Sequence, residues 1–516
     1  LKKTSFIYGS IILATVNFIV RFIGFCYKII LSKLIGPEGI GLFQMVFPVL
    51  MLFITITTAG IPIAVSKLVA KQNSIHNTKG AKKVFKIALY ITFLIALILS
   101  FIILIGSDYI SLKLLKNKEI NKSIIMLAPA VLIISISSVF RGYFYGMKQI
   151  SPAGIAQIIE QITRIAFVLG IIYYMYPISS KLGAFIAVCG ISIGEIAGLI
   201  WMVLNYKLFG KNKAISSSKP LYTIQILSQI FYISVPITIS RLINVSVQLI
   251  NAVLIPQRLI VAGYSQTEAV SIFGRVIGMS MPIIFLPCIV TSALVINIIP
   301  NLSEELALKR YKMIKSNILL SLRITLLISI PLTFIYIFFS EPIAMFFYRD
   351  KIVGIYLGIL GYSTIFLSLQ HILSGILHGL GKQIIATINY LIGILIQISS
   401  TYFLVGNPIF GIKGFFLGFI LATIIISLLH YISIIRIMKI NFNTIDYIVK
   451  PIISSVSMTA IILIIYNYLK SLNTQNYINF LVCLFVGGLA YFLILTLIKG
   501  LPPSLLKKLL YNKNNP

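Results

Sequence analysis

An all-α membrane protein with about 14 transmembrane helices is what this sequence predicts, on three observations. The 516 residues are 59% hydrophobic and only 10% charged. Their mean hydropathy is +1.02. The apolar residues fall in stretches long enough to cross a bilayer, parted by short polar segments. A formal charge of +32 would suit a nucleic-acid binder only if the cations shared a soluble face. Here they lie in small clusters between apolar spans, so no nucleic-acid partner is expected.

The spans read near 6 to 32, 40 to 66, 84 to 106, 123 to 146, 152 to 176, 182 to 206, 224 to 256, 269 to 299, 316 to 340, 352 to 378, 383 to 405, 414 to 436, 447 to 469 and 477 to 499. With the N-terminus inside, more than twice as many Lys and Arg face the cytoplasm as face outward. The cluster Lys67, Lys71, Lys79, Lys82, Lys83 and Lys86 then lies inside, and both termini are expected in the cytoplasm. The first span is too long and too polar for a cleaved signal peptide.

That first span carries the strongest functional signal. As a helix it would be roughly 40 Å long, which sets Arg21 within the hydrocarbon layer. Asn17, Arg21, Gly24 and Lys28 recur at i, i+4, i+7 and i+11, one stripe that must face protein or water. Span 7 repeats the pattern with Arg241, Asn244, Gln248, Asn251 and Arg258. Lys28 stands nearer the interface than Arg21. Arg275 and Arg323 lie near span ends, within snorkelling reach of water.

The chain also echoes itself. FRGYFYGMKQ at 140 to 149 matches LSGILHGLGKQ at 373 to 383, with Gly142 and Gly146 opposite Gly375 and Gly379. An offset of six spans relates parallel halves. The expected organisation is an N-lobe over 1–206 (spans 1 to 6), a polar cytoplasmic linker over 207–220, a C-lobe over 221–440 (spans 7 to 12), and spans 13 and 14 with a cytoplasmic tail over 441–516. Two polar stripes, one per half, would enclose a cationic cavity, the usual substrate position in repeat-built transporters.

Further polar residues in spans 5 and 6 bear on that cavity. Gln157, Glu160, Gln161 and Arg164 share a face of span 5, where Glu160 and Arg164 can pair at i, i+4. The pair either braces the span or faces substrate. Glu195 sits among Gly190, Gly194 and Gly198, which suits either an ion-coupling site or close helix packing. Guanidinium forks match phosphate bidentately, so Arg21, Arg164 and Arg241 point to an anionic, phosphorylated amphiphile. Cys26, Cys189, Cys288 and Cys483 have no metal or redox spacing, and His371 with His378 lacks a third ligand. Neither a Walker loop, GxSxG nor HExxH is present, so an embedded enzyme has no chemistry here. Pro48, Pro62, Pro236, Pro256, Pro282 and Pro287 interrupt spans and could serve as kinks.

RFIGF at 21 to 25, GPEGIGLF at 36 to 43, GIPIAVSKLVAK at 60 to 71, the stretch from Phe140 to Arg164, and VPITISRLINVSVQLINAVLIPQRLIVAGY at 235 to 264 together resemble the stage V sporulation protein B group of bacterial polysaccharide-biosynthesis flippases. The resemblance covers spans 1 to 12. It implies two pseudo-symmetric six-helix lobes of the multidrug-extruder type, V-shaped and alternating in access, with the last two helices forming a groove for a polyprenyl tail. It also implies a monomer in the bacterial plasma membrane that carries an undecaprenyl-pyrophosphate-linked glycan, lipid II first, outward for peptidoglycan or spore cortex synthesis. Membrane lipids and cell-wall synthases are the implied neighbours. No cofactor is implied beyond a coupling ion, Na⁺ or H⁺, with Glu160 and Glu195 as its candidates. Arg21, Gly24 and Phe25 match the first-helix motif of lipid II flippases. Tyr27 replaces its second arginine, and Leu50, Met51 and Leu52 stand where further arginines would follow Pro48. The alternatives are a drug exporter of the same fold, which would need free acidic groups in its cavity, and a non-transporting scaffold of wall synthesis, for which the arginines would be dispensable.

Overall fold

The computed structural model describes residues 3–209, 222–439, 443–472 and 476–501; the side chains of 3–14, 17, 209, 476 and 477 lie outside the description. Among the described residues helix is the regular structure throughout. The first compact unit takes in Leu1–Ile260 and Tyr264–Gly274. It holds α1 (Lys3–Thr58), α2 (Ile61–Ser74), α3 (Thr78–Asp108), α4 (Asn121–Ile125), α5 (Leu127–Gly146), α6 (Ile150–Tyr174), α7 (Ser180–Phe209), α8 (Thr223–Val261) and α9 (Gln266–Phe273). The second takes in Val261–Gly263 and Arg275–Pro516. Its helices are α10 (Met281–Ile284), α11 (Pro287–Ala307), α12 (Tyr311–Phe338), α13 (Ser340–Phe347), α14 (Lys351–Gly361), α15 (Ser363–Gly379), α16 (Gln383–Val405), α17 (Ile412–Met438), α18 (Lys450–Ser471) and α19 (Asn476–Leu497).

Among the described residues 13 helical stretches are long and apolar enough to cross a membrane, or 14 with the bent pair α14 and α15 taken as one span. Two boundaries differ from the sequence reading. The expected spans 6 to 32 and 40 to 66 run on as α1, broken at Gly36 with φ 72° and ψ 179°, with the end of the second span falling in α2. Glycine tolerates that geometry, and Pro37 behind it disfavours a helical residue at 36. The expected span 269 to 299 is instead two pieces, Gln266–Ile284 and Pro287–Ala307. Wide π turns over Gly274–Ser280 and the proline at the start of α11 separate them.

Of the expected linker, 210–220 lies outside the described residues; the two compact units divide between residues 260 and 275. The cause is packing. Ile226 and Ile230 of α8 enter the core built by α2, α3, α5, α6 and α7. There Phe85, Phe140, Tyr143 and Tyr206 interlock with centroids 4.8 to 5.8 Å apart, the range favourable for edge-on and tilted rings. α9 closes on α1, because Gly41 and Gly274 let the two backbones touch: a Cβ on Gly41 would strike the carbonyl of Val270, and one on Gly274 that of Pro37.

The internal echo has the same structural task in each unit. A Cβ on Gly142 would come within 2.6 Å of the Pro62 carbonyl, and one on Gly146 within 2.8 Å of that of Ser66, so α5 lies directly on α2. Gly375 and Gly379 likewise bring α15 onto Val295 and Ile299 of α11. In the second unit α18 and α19 meet where Gly487 admits Ile462. Phe480 of α19 stacks on Phe346, 4.3 Å away. Small residues allow this approach, and dispersion holds it in a solvent as apolar as the side chains.

Candidate functional site

Polar side chains inside the first unit converge on a cavity of about 660 Å³. Its apolar wall comes from the second half of α1, through Phe47, Leu50, Met51 and Ile54. The charged lining comes from other helices. Ser138, Arg141 and Tyr145 come from α5, Gln157, Glu160 and Arg164 from α6, Glu195 from α7 and Arg241 from α8.

The glycine stripe of α7 explains why these charges meet. A Cβ at Gly194 would come within 2.7 Å of the Glu160 carbonyl, and one at Gly198 within 3.2 Å of that of Ala156. α6 and α7 therefore lie backbone to backbone, which brings Glu160 and Glu195 to one point. Arg141 reaches that point from α5. Its Nη2 donates to both oxygens of Glu195, at 2.8 and 3.1 Å, and stands 3.6 Å from Glu160. Arg164 donates to Glu160 one turn back along α6.

Desolvating an isolated ion among apolar helices costs several kcal/mol, so such groups persist only when paired. Glu195 is 5% exposed and Glu160 8%, and each has its guanidinium. The pairing is incomplete on the arginine side. Arg141 Nε and Arg164 Nε are buried with no hydrogen-bond partner among the described residues, an unmet donor capacity that costs about 1–3 kcal/mol per group. Arg241, by contrast, forms no ion pair among the described residues.

Of the residues singled out from sequence, Arg164, Glu160, Glu195 and Arg241 share this cavity. Arg21, Lys28, Asn244 and Gln248 are not among its lining residues. Arg21, Asn244 and Gln248 are exposed and Lys28 is half-buried, while the side chain of Asn17 lies outside the described residues. The Glu160–Arg164 pair expected along α6 is present, and the glycines around Glu195 do serve close packing. Arg141 was missed. Its signal was the one applied to Arg21, an arginine inside an apolar span, but it stood within a motif read only for its glycines. Leu50 and Met51, where arginines were expected, line the wall, and the positive charge comes from α5, α6 and α8 instead.

Residues 6–304 match the model of the polysaccharide biosynthesis protein family. The chain belongs to that family. The family model spans α1 to α11, all the helices that line the cavity, and a second model, MatE, matches residues 236–403. Among curated relatives, Stage V sporulation protein B of Bacillus subtilis is 26% identical, with 87% of each chain covered. Lipid II flippase MurJ of the same organism is 25% identical over 76% of this chain and 75% of that one. Among solved structures, an inward-facing multidrug resistance MATE family transporter of the MOP superfamily superposes with a TM-score of 0.64 at 16% identity, covering 83% of this chain and 98% of that one. A MOP superfamily transporter from Pyrococcus furiosus, described as having a binding pocket of reversed polarity, follows with a TM-score of 0.57 at 16% identity, covering 84% of this chain and 95% of that one. The family member described here is thus a multi-pass membrane protein built on the MATE transporter fold.

Proposed function

We propose that the protein is a flippase that moves an undecaprenyl-pyrophosphate-linked glycan, lipid II first, from the inner to the outer leaflet of the bacterial plasma membrane. The observation that carries this reading is the convergence of Arg141, Arg164 and Arg241 on one cavity among the spans. Charge-assisted forks of this kind suit a diphosphate, whose negative charge needs several donors once water is excluded. The names of two relatives, a sporulation protein and a lipid II flippase, support a role in wall or cortex synthesis.

In this scheme the headgroup enters the cavity from the cytoplasmic side, where both termini lie, while the polyprenyl tail stays in the lipid. Membrane potential or a Na⁺ or H⁺ gradient drives the cycle, and the protein works as a monomer. The MatE match favours a second reading, export of organic cations. That reading is the weaker one, because Glu160 and Glu195 are already held by arginines and offer a cation no free carboxylate.

The test is movement of labelled lipid II in proteoliposomes by wild type, Arg241→Ala and Arg21→Ala at matched reconstitution. Transport by wild type, lost in Arg241→Ala, is the expected result; loss in Arg21→Ala would add that residue to the path. Transport unaffected by Arg241→Ala would refute the cavity reading. Inactive wild type would exclude lipid II as the cargo.

A further inference from the structure

The contact between Arg141 and Glu195 occupies the donor that a phosphate would use. Glu195 presents both oxygens to a single nitrogen, Nη2 of Arg141, and a phosphate oxygen is an equally good acceptor for that charged donor. We propose that Arg141 is a headgroup-binding residue and that Glu195 is its exchangeable counter-ion, displaced from Arg141 by a phosphate of the substrate and restored when the substrate leaves. The proposal rests on the reading of the cavity as a diphosphate site.

Three features of the cluster carry it. The first is charge: Arg141 and Arg164 face Glu160 and Glu195, two cations against two anions, while Arg241 adds a third cation without a carboxylate. An anion attracted by Arg241 therefore meets two guanidiniums that are already engaged. The second is spare capacity, since Nε of Arg141 and of Arg164 are buried donors without acceptors among the described residues. A phosphate that displaces the carboxylate can take up these donors as the guanidiniums turn toward it. The third is room. All five residues line a cavity of about 660 Å³, enough for a phosphate group and for water around a released carboxylate.

Exchange of one anion for another keeps the guanidinium paired throughout, and the cost falls on the displaced Glu195 carboxylate, which cavity water must solvate. Direct addition to a cluster of bare arginines would bind more tightly and release more slowly. Glu195 thus lowers affinity to a level from which the headgroup can depart, a requirement for turnover rather than for binding.

The test is a double-mutant cycle on binding of inorganic pyrophosphate to the purified full-length protein, by titration calorimetry in detergent. Glu195→Gln keeps the volume and removes the competing charge, and it should tighten binding about tenfold, the worth of one charge-assisted hydrogen bond. Arg141→Gln should weaken it by a similar factor. The decisive result is the double variant: Glu195→Gln should tighten binding much less on the Arg141→Gln background than on wild type, because only the part of its effect that passes through Arg141 is lost there. Glu195→Asp, which withdraws the carboxylate by one methylene, should tighten binding by less, and it stands in should Glu195→Gln fail to fold. Unchanged or weakened binding in both Glu195 variants, a gain equally large without Arg141, or no pyrophosphate binding by any variant would overturn the exchange. Orthophosphate binding as tightly as pyrophosphate would overturn its diphosphate specificity. Lipid II flipping separates this idea from the wider one: a cycle that holds while lipid II does not move leaves the exchange standing and removes the cargo, and the reverse result does the opposite.

Discussion

Removing Arg141 isolates Glu195, and the cost can be worked from the structure. The pair is joined by two hydrogen bonds of 2.8 and 3.1 Å, with the arginine side chain 23% and the glutamate side chain 7% exposed. Breaking a fully buried pair costs about 3–5 kcal/mol. Since part of the guanidinium is wet, the lower end applies, and Arg141→Gln should lose about 3 kcal/mol. Adding Glu195→Gln removes the stranded charge, so the double variant should lose only about 1 kcal/mol, about 2 kcal/mol less than Arg141→Gln alone. At roughly 2 °C per kcal/mol for a unit of this size, Arg141→Gln should lower the thermal midpoint in detergent by about 6 °C and the double variant by about 2 °C. The assay is size-exclusion recovery after a graded heat challenge. A single variant as stable as wild type, or a double variant worse than the single, would refute the claim that Glu195 depends on Arg141.

Three further outcomes follow from the packing. Gly194→Val would push a branched side chain against the Glu160 carbonyl, 2.7 Å from where its Cβ must sit; it should cost roughly 2–3 kcal/mol, whereas Gly170→Ala, with open space around it, should leave the melting midpoint unchanged or slightly raised. Gly36→Ala should cost about 1–3 kcal/mol, because φ 72° with ψ 179° is glycine territory, and a midpoint equal to wild type would contradict the kink. In the second unit Arg275 donates to Asp350 at 2.7 Å, while the other Asp350 oxygen accepts from the backbone of Ile352 and Val353 at the start of α14. Asp350→Ala should therefore lower the midpoint more than Arg275→Ala, by about 1 kcal/mol for the lost cap; equal effects would show that the cap is idle.

Hydropathy alone carried most of the fold. Each apolar stretch had to be a helix, since backbone groups in lipid find no other partners, so the helices were legible residue by residue. Less legible was where one span yields to the next. Gly36–Pro37 looks like a loop signal, yet α1 continues with a break, because no water is needed to satisfy one kinked turn. The site was legible in part for a related reason. A charge inside a span announces itself, which exposed Arg241, Glu160, Arg164 and Glu195, but which charges meet depends on helix contacts that sequence spacing does not encode. Gly142, Gly146, Gly190 and Gly194 decide those contacts. They show up in the sequence only as small residues, with no mark of the helix each one faces.

The turn between the two halves of α1 has one more consequence. Gly183 of α7 admits Ile35, and Gly41 fits against Val270 of α9, so the stretch from Leu31 to Leu42 lies under its neighbours with Lys33 as its exposed side chain. A protease or an antibody directed at this stretch has almost nothing to grip while α9 is seated. Cleavage or recognition there, in the purified protein, would therefore report any opening of α9 from α1.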